Sequence, residues 1–156
     1  LREWSARTGG ELVILRVAGI YGPGRLPLER LRSGQPMVSE DEAPWTNRIH
    51  VDDLAAVCVA AVERGRSGAV YNVSDGHPGN MTDYFNRVAD AAGLPRPPVV
   101  RLADAGGRLS EGLLSYLRES RRLSNRRMLD ELGVVLRYPT LAEGLAACLG
   151  AHRAPS

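Results

Sequence analysis

Apolar residues Leu12 to Leu15 run without a break inside the segment Glu11–Val17. That is the pattern of a parallel strand covered on both faces. It leads directly into a turn built from Gly19, Gly22, Pro23 and Gly24, and a strand that ends in such a loop is where an α/β sheet exposes backbone to a ligand. Leu26, Leu28 and Leu31 mark a short segment ending near Gly34-Gln35-Pro36. Met37-Val38 and Arg48 to Val51 are predicted to form a small hairpin around the acidic tip Ser39-Glu40-Asp41-Glu42. Alternation in the second of these puts Ile49 and Val51 on one face, Arg48 and His50 on the other.

Helical periodicity takes over next. Asp52 or Asp53 is placed to cap a helix running to about Arg64, because a carboxylate there accepts from the free N–H groups of the first turn. The helix, LAAVCVAAVE, is apolar nearly all round and is expected to be buried between layers. Val70–Val73 reads as a second core strand. Asn80, with Asp83 three residues on, approximates a capping box for a helix that aligns Met81, Tyr84, Phe85, Val88 and Ala92 and stops at Gly93-Leu94-Pro95. Pro95, Pro97 and Pro98 stiffen the link to Val99-Val100, and Leu109, Leu113 and Leu117 fit a further helix within Ala103 to Glu119. Two short helices follow. Ser124 or Asn125 opens one that turns Met128, Leu129 and Leu132 inward and ends at Gly133; Thr140-x-x-Glu143 boxes the start of another that buries Leu141, Leu145 and Leu149. At the ends, LREWSART reads as the last turns of a helix closed by Gly9-Gly10, and His152 to Ser156 as a frayed tail.

Composition narrows the classes. With 156 residues, 44% of them hydrophobic, the chain has the size of one ordinary domain. No apolar run approaches the roughly 20 residues that span a bilayer, so the expectation is a cytoplasmic protein with no membrane partner. Cys58 and Cys148 lie far apart in helical patterns and read as small buried apolar residues. A net charge of +2 is too small to argue for nucleic acid. Arg121, Arg122, Arg126 and Arg127 form a basic cluster, read either as a phosphate site or as a solvated face pairing with Glu119, Asp130 and Glu131. Arg48-Ile49-His50-Val51-Asp52-Asp53 groups a histidine with two carboxylates, but strand end plus helix cap explains the aspartates better than a metal does. Trp45, in a polar loop, is read equally as a substrate lid or as the plug of a hairpin.

The run VILRVAGIYGPGR at 13 to 25 resembles the loop flanking the nicotinamide ring in extended short-chain dehydrogenases/reductases, the NAD(P)-dependent epimerase/dehydratase family. NRIHVDDLAAV at 47 to 57, AVYNVSDGHP at 69 to 78 and SRRLSNRRMLDELGVVLRYPTLAEGL at 120 to 145 follow in that family's order, and the atypical reductase-like subgroup is the nearest in character. Only the second half of the family pattern is present. No G-x-G-x-x-G or related glycine spacing follows a strand, all 20 Lys+Arg residues are arginine, and a Tyr-x-x-x-Lys pair is therefore absent. A chain that opens on Leu1, just past where that pair would stand, is expected to be a fragment of a longer parent.

The resemblance implies an α/β fold, the C-terminal half of a Rossmann-type doubly wound parallel sheet with a small mixed α/β substrate-binding subdomain. Residues 1–36 would end the Rossmann core and 37–156 would supply the mixed core, together one partial domain. It implies NAD(P) in the intact parent, none held tightly by this chain alone, with the backbone of Val17, Ala18, Gly19 and Ile20 beside the nicotinamide. Substrate contacts fall on Tyr21, Arg25, Trp45, Arg48 and His50, and no catalytic residue lies in this half. Sugar-nucleotide members resemble R-x-x-N-x-Y-G-P and R-D-Y-I-H-V; Gly19 replaces that asparagine and Thr46 that arginine, which argues against a UDP-sugar. The implied partners are a small carbonyl, alcohol or sugar-like substrate, the missing N-terminal half and a homodimer mate. A catalytically inert binding or scaffold module of the same ancestry is the alternative.

Overall fold

Parallel pairing organises the computed structural model, which describes residues 2–104 and 120–150. Helix α1 (Arg2–Thr8) precedes β1 (Ile14–Val17), which pairs in parallel with β6 (Val70–Val73), Ile14 opposite Val70 and Val17 opposite Val73. One residue later the chain changes partner. Strand β2 (Gly19–Tyr21) pairs in parallel with β5 (Arg48–His50), Gly19 opposite Arg48 and Tyr21 opposite His50. After α2 (Leu28–Arg32), β3 (Met37–Val38) pairs in parallel with β8 (Val99–Val100), and β4 (Trp45–Thr46) pairs antiparallel with β7 (Gly79–Asn80).

The predicted hairpin between Met37-Val38 and Arg48–Val51 is therefore not formed. Its acidic tip serves other bonds: Ser39 Oγ donates to Glu42 Oε2 at 2.9 Å, and the same carboxylate accepts from Leu102 N at 2.8 Å. Strand β5 is buried on both faces at Ile49 and His50, as a parallel strand between layers is.

Helix α3 (Val51–Arg64) starts at least two residues earlier than expected and is capped by neither aspartate. His50 is the N-cap, its Nδ1 accepting from Asp52 N at 3.2 Å. Nor is α3 buried all round. Val57, Ala60 and Ala61 pack against the sheet with Ile49, Tyr71, Val73, Met128 and Leu132, while Cys58, Val59 and Val62 are exposed, Val62 at 88%. Cys58 is thus a surface thiol, and only Cys148 is buried as expected. Strand β1 likewise pairs on one edge only among the described residues, with Ile14 and Leu15 half-buried and Arg16 and Val17 exposed.

The second core joins Leu31 and Met37 to helix α4 (Met81–Ala92) and to Leu145 of α6 (Leu141–Gly150). Asn80 caps α4 as its sequence indicates, accepting at Oδ1 from Thr82 N and Asp83 N. Gly93, at φ 66°, closes α4, and Gly133, at φ 60°, closes α5 (Arg126–Leu132), both in the left-handed region that glycine adopts without a Cβ penalty. Asn125 precedes α5 but spends its amide on Ser74 O at 2.8 Å. Thr140 and Glu143 bond reciprocally at the start of α6. The helix read from Leu109, Leu113 and Leu117 and the tail at His152–Ser156 lie outside the described residues.

Candidate functional site

At the C-terminal end of β1, where the chain leaves the β6 ladder for the β5 ladder, a cleft of about 170 Å³ opens. Val17, Ala18, Gly19, Trp45, Thr46, Asn47 and Arg121 line it. Such a crevice at a partner change is where open α/β sheets bind ligands. Ala18 N donates to Val73 O and Gly19 N to Asn47 O, each at 3.0 Å, so the backbone is pinned on both sides of the switch. A Cβ at Gly19 would stand 3.0 Å from Arg48 Nη1 and 3.2 Å from Asn47 O; only glycine lets backbone and guanidinium meet this closely.

The opposite wall is a strap, residues 120–123, tied down by hydrogen bonds. Trp45 N donates to Ser120 Oγ at 3.1 Å and Arg121 N to Trp45 O at 3.0 Å. The Asn47 side chain works as a strand partner: Nδ2 donates to Arg121 O and Oδ1 accepts from Leu123 N, both at 2.9 Å. Arg122 lays its guanidinium 3.9 Å over the Trp45 ring, whose residue is 39% exposed. Behind the cleft floor Arg48 stacks 3.6 Å over Tyr84 and donates from Nη2 to Thr46 Oγ1 at 3.1 Å. Burial raises the Asp75 carboxyl above its usual range, against the opposing pull of the His77 N–H bond and of Arg48.

The structure thus brings Val17, Ala18, Gly19 and Trp45 to one cleft, with Arg48 touching it from behind. Trp45 is a wall residue on β4, not the plug of the predicted hairpin. Thr46, Asn47 and Arg121 were missed as lining residues; the signal for Arg121 was its place in the basic cluster. Of the other arginines there, Arg126 pairs with Asp130 at 3.5 Å and Arg127 with Glu131 at 2.8 Å, as the solvated-face reading has it. Among the described residues no cluster of histidine, cysteine and carboxylates has the geometry of a metal site.

Four expected site residues lie elsewhere. Ile20 is exposed and Arg25 sits in the turn after β2, its N–H donating to Gly22 O; neither lines the cleft. Tyr21 and His50 are each 1% exposed. Arg48 and His50 both lie on β5, but the His50 end of that strand is closed over by the core rather than open to the cleft. That imidazole fills a buried aromatic knot: Tyr138 lies 4.1 Å and Tyr21 5.3 Å away by ring centroids, and Nε2 is 3.6 Å from Cys148 Sγ. Burial first, then Asp75, holds the Tyr21 phenol well above its ordinary value. Asp53, also 1% exposed, accepts from Arg137 N at 2.7 Å and Tyr138 N at 3.0 Å, tying the loop before α6 to the start of α3.

A search of family models finds no match. A 3-diazoavenalumate denitrifying reductase from a Streptomyces species is 29% identical over 139 residues, 85% of this chain and 45% of the reductase. A functionally unknown conserved protein from Silicibacter pomeroyi superposes with TM-score 0.85 at 37% identity, covering 98% of this chain and 53% of that one. A human epimerase family protein solved with NADPH superposes at TM-score 0.73 over 97% of this chain, at 22% identity, a likeness of fold. The fold is therefore that of the Rossmann-type NAD(P)-binding epimerases and dehydratases. The curated relatives and solved structures that the chain resembles include proteins named as reductases, epimerases and a short-chain dehydrogenase/reductase family member, and it spans about half the length of those it matches.

Proposed function

We propose that this chain is the substrate-binding half of an NAD(P)-dependent oxidoreductase or epimerase acting on a small carbonyl, alcohol or sugar-like compound. The observation that carries this is the cleft at the β1 switch, walled by the backbone of Val17, Ala18 and Gly19. Those are the positions at which the family resemblance puts the nicotinamide, and the missing Cβ of Gly19 suits close approach of a flat ring. The cofactor supplies the hydride. This chain's residues orient its ring, exclude water and receive the substrate through Trp45, Thr46 and the strap. His50 and Tyr21 act one layer below, as packing that holds β2 and β5 in register.

With no lysine in its sequence, the chain relies on the other half of a family-length protein for the tyrosine–lysine proton-transfer pair and the pyrophosphate cradle. The 156 residues accordingly form one partial domain, with NAD(P) bound tightly only when that half is joined. The purified chain is expected to turn over neither NADH nor NADPH with a panel of aldehydes, ketones, alcohols and sugars. Fused behind the first half of the Silicibacter pomeroyi protein, it is expected to oxidise NADPH. Turnover by the chain alone, or a folded chimera that binds no dinucleotide, would sink this reading and favour the inert binding module.

A further inference from the structure

Thr46, Asn47 and Arg121, the polar residues among those that line the cleft, are already engaged within the protein. Thr46 Oγ1 donates to Gly79 O and accepts from Arg48 Nη2, each at 3.1 Å. The Asn47 amide commits a donor to Arg121 O and its acceptor to Leu123 N, and Arg121 is engaged as well. The backbone is committed too, with Ala18 N, Gly19 N, Trp45 N and Trp45 O all bonded to protein atoms. What the lining leaves open is apolar: Val17 is 41% exposed and Trp45 39%.

A compound with many hydroxyls gains little here, because each hydroxyl would leave water for a wall with few hydrogen bonds to return. A flat ring loses nothing by that exchange. Trp45 offers it aromatic surface, and Arg122, 3.9 Å over the indole, holds that wall in place before a ligand arrives. Offset or edge-on packing of two rings adds to the gain from burial alone. Size agrees: the cleft measures about 170 Å³, and an apolar cavity of about 150 Å³ holds benzene, so one six-membered ring fills it. We propose that the substrate presents a single aromatic ring to the wall formed by Val17 and Trp45, its reacting carbonyl or alcohol carbon carried as a substituent on that ring. This rests on reading the cleft as the substrate site and narrows the substrate class to aryl carbonyls and alcohols, away from sugars.

Binding is read on the whole chain without cofactor or turnover, so failure here and failure of the reductase reading are told apart. Saturation-transfer NMR with benzyl alcohol, cyclohexylmethanol and methyl glucoside compares an aromatic ring, a saturated ring of the same carbon skeleton and a polyol. Benzyl alcohol is expected to bind saturably, cyclohexylmethanol about threefold more weakly or worse, and methyl glucoside not at all. Trp45→Leu should abolish the preference for the aromatic ring and Trp45→Phe should retain it. Val62→Lys, at an exposed position outside the cleft, should leave it unchanged. Methyl glucoside that displaces benzyl alcohol, cyclohexylmethanol that binds as tightly, a preference that survives Trp45→Leu, or no binding by benzyl alcohol would overturn the proposal.

Discussion

Gly19 and Arg48 face each other across the parallel β2–β5 ladder, and the guanidinium stands where a side chain at position 19 would go. Arg48 cannot yield freely, because it is stacked on Tyr84 and bonded to Thr46. Gly19→Asn, which restores the residue that sugar-nucleotide members resemble here, is expected to cost about 1 to 3 kcal/mol as overpacking. In an Arg48→Ala background the same change should cost at least about 0.5 kcal/mol less. Denaturant titrations of the four proteins in the cycle read this directly; additive losses would mean that the two residues do not compete for the space.

Tyr21 and Gly144 are in a similar relation within the buried knot. A Cβ on Gly144 would collide with Tyr21 Oη, and the phenol ring is buried and packed edge-on against His50. Gly144→Ala should therefore lose about 1 to 3 kcal/mol, although alanine is the better helix former by about 1 kcal/mol. The Tyr21 hydroxyl is buried without a hydrogen-bond partner among the described residues. Tyr21→Phe removes an unsatisfied polar atom at constant shape and is expected to be neutral or stabilising. A marked drop in melting temperature would reveal an unseen bond to that hydroxyl.

Asp53 is worth more than a helix cap. Removing its carboxylate strands the Arg137 and Tyr138 N–H groups, and Asp53→Ala is expected to cost about 3 kcal/mol against about 1 for an ordinary cap. His50→Ala empties a buried ring site and removes the α3 N-cap together, so it should also cost about 3 kcal/mol. Thermal melts test both. If His50→Ala melts like the parent chain, the imidazole is not part of the core.

Asp75 gives the chain a pH dependence. Its folded pKa is raised above the ordinary 3.8, chiefly by burial, so between the two values the folded state holds the proton more tightly than the unfolded one. The contribution to stability is present below about pH 3.8 and is lost as pH rises through the folded value. Asp75→Asn keeps an oxygen for His77 N and removes the charge. Melting temperatures of parent and variant, compared from pH 3 to pH 7, should diverge in the variant's favour as pH rises; a constant difference would mean that Asp75 is not strained by its burial.

Local signals in the sequence were reliable where the physics is local. The Asn80 cap, the Gly93 and Gly133 terminators and the Thr140–Glu143 box each depend on residues within one turn, and each forms as read. Pairing was not legible, because Met37-Val38 meets a strand more than 60 positions away, beyond the reach of any alternation rule. The same distance hid the clamp: nothing near Asn47 indicates that its amide serves residues 121 and 123. His50 ends β5 as the alternation has it; what the pattern could not show is that Tyr21, Tyr138 and Cys148 surround its ring. The glycine loop drew attention to Val17, Ala18 and Gly19, which line the cleft; nothing in the sequence pointed to the strap.

The outer face of α3 bears on how this chain behaves alone. Cys58, Val62 and Gly65, with the buried Ala61 beneath, border Glu11, Val13 and Leu15 in a mostly apolar groove of about 420 Å³, beside the edge of β1 that no described strand covers. An open parallel edge next to exposed valines invites association, since both backbone groups and apolar surface gain by being covered. The isolated chain is expected to dimerise or aggregate through this face as its concentration rises. Val62→Lys places a charge at the most exposed point of the stripe without touching either core, and should shift light scattering toward monomer while leaving the melting temperature within about 0.5 kcal/mol of stability. A parent chain that stays monomeric, melts cooperatively and ignores a hydrophobic dye would show that the face is tolerated bare, and that the half-sheet is self-sufficient.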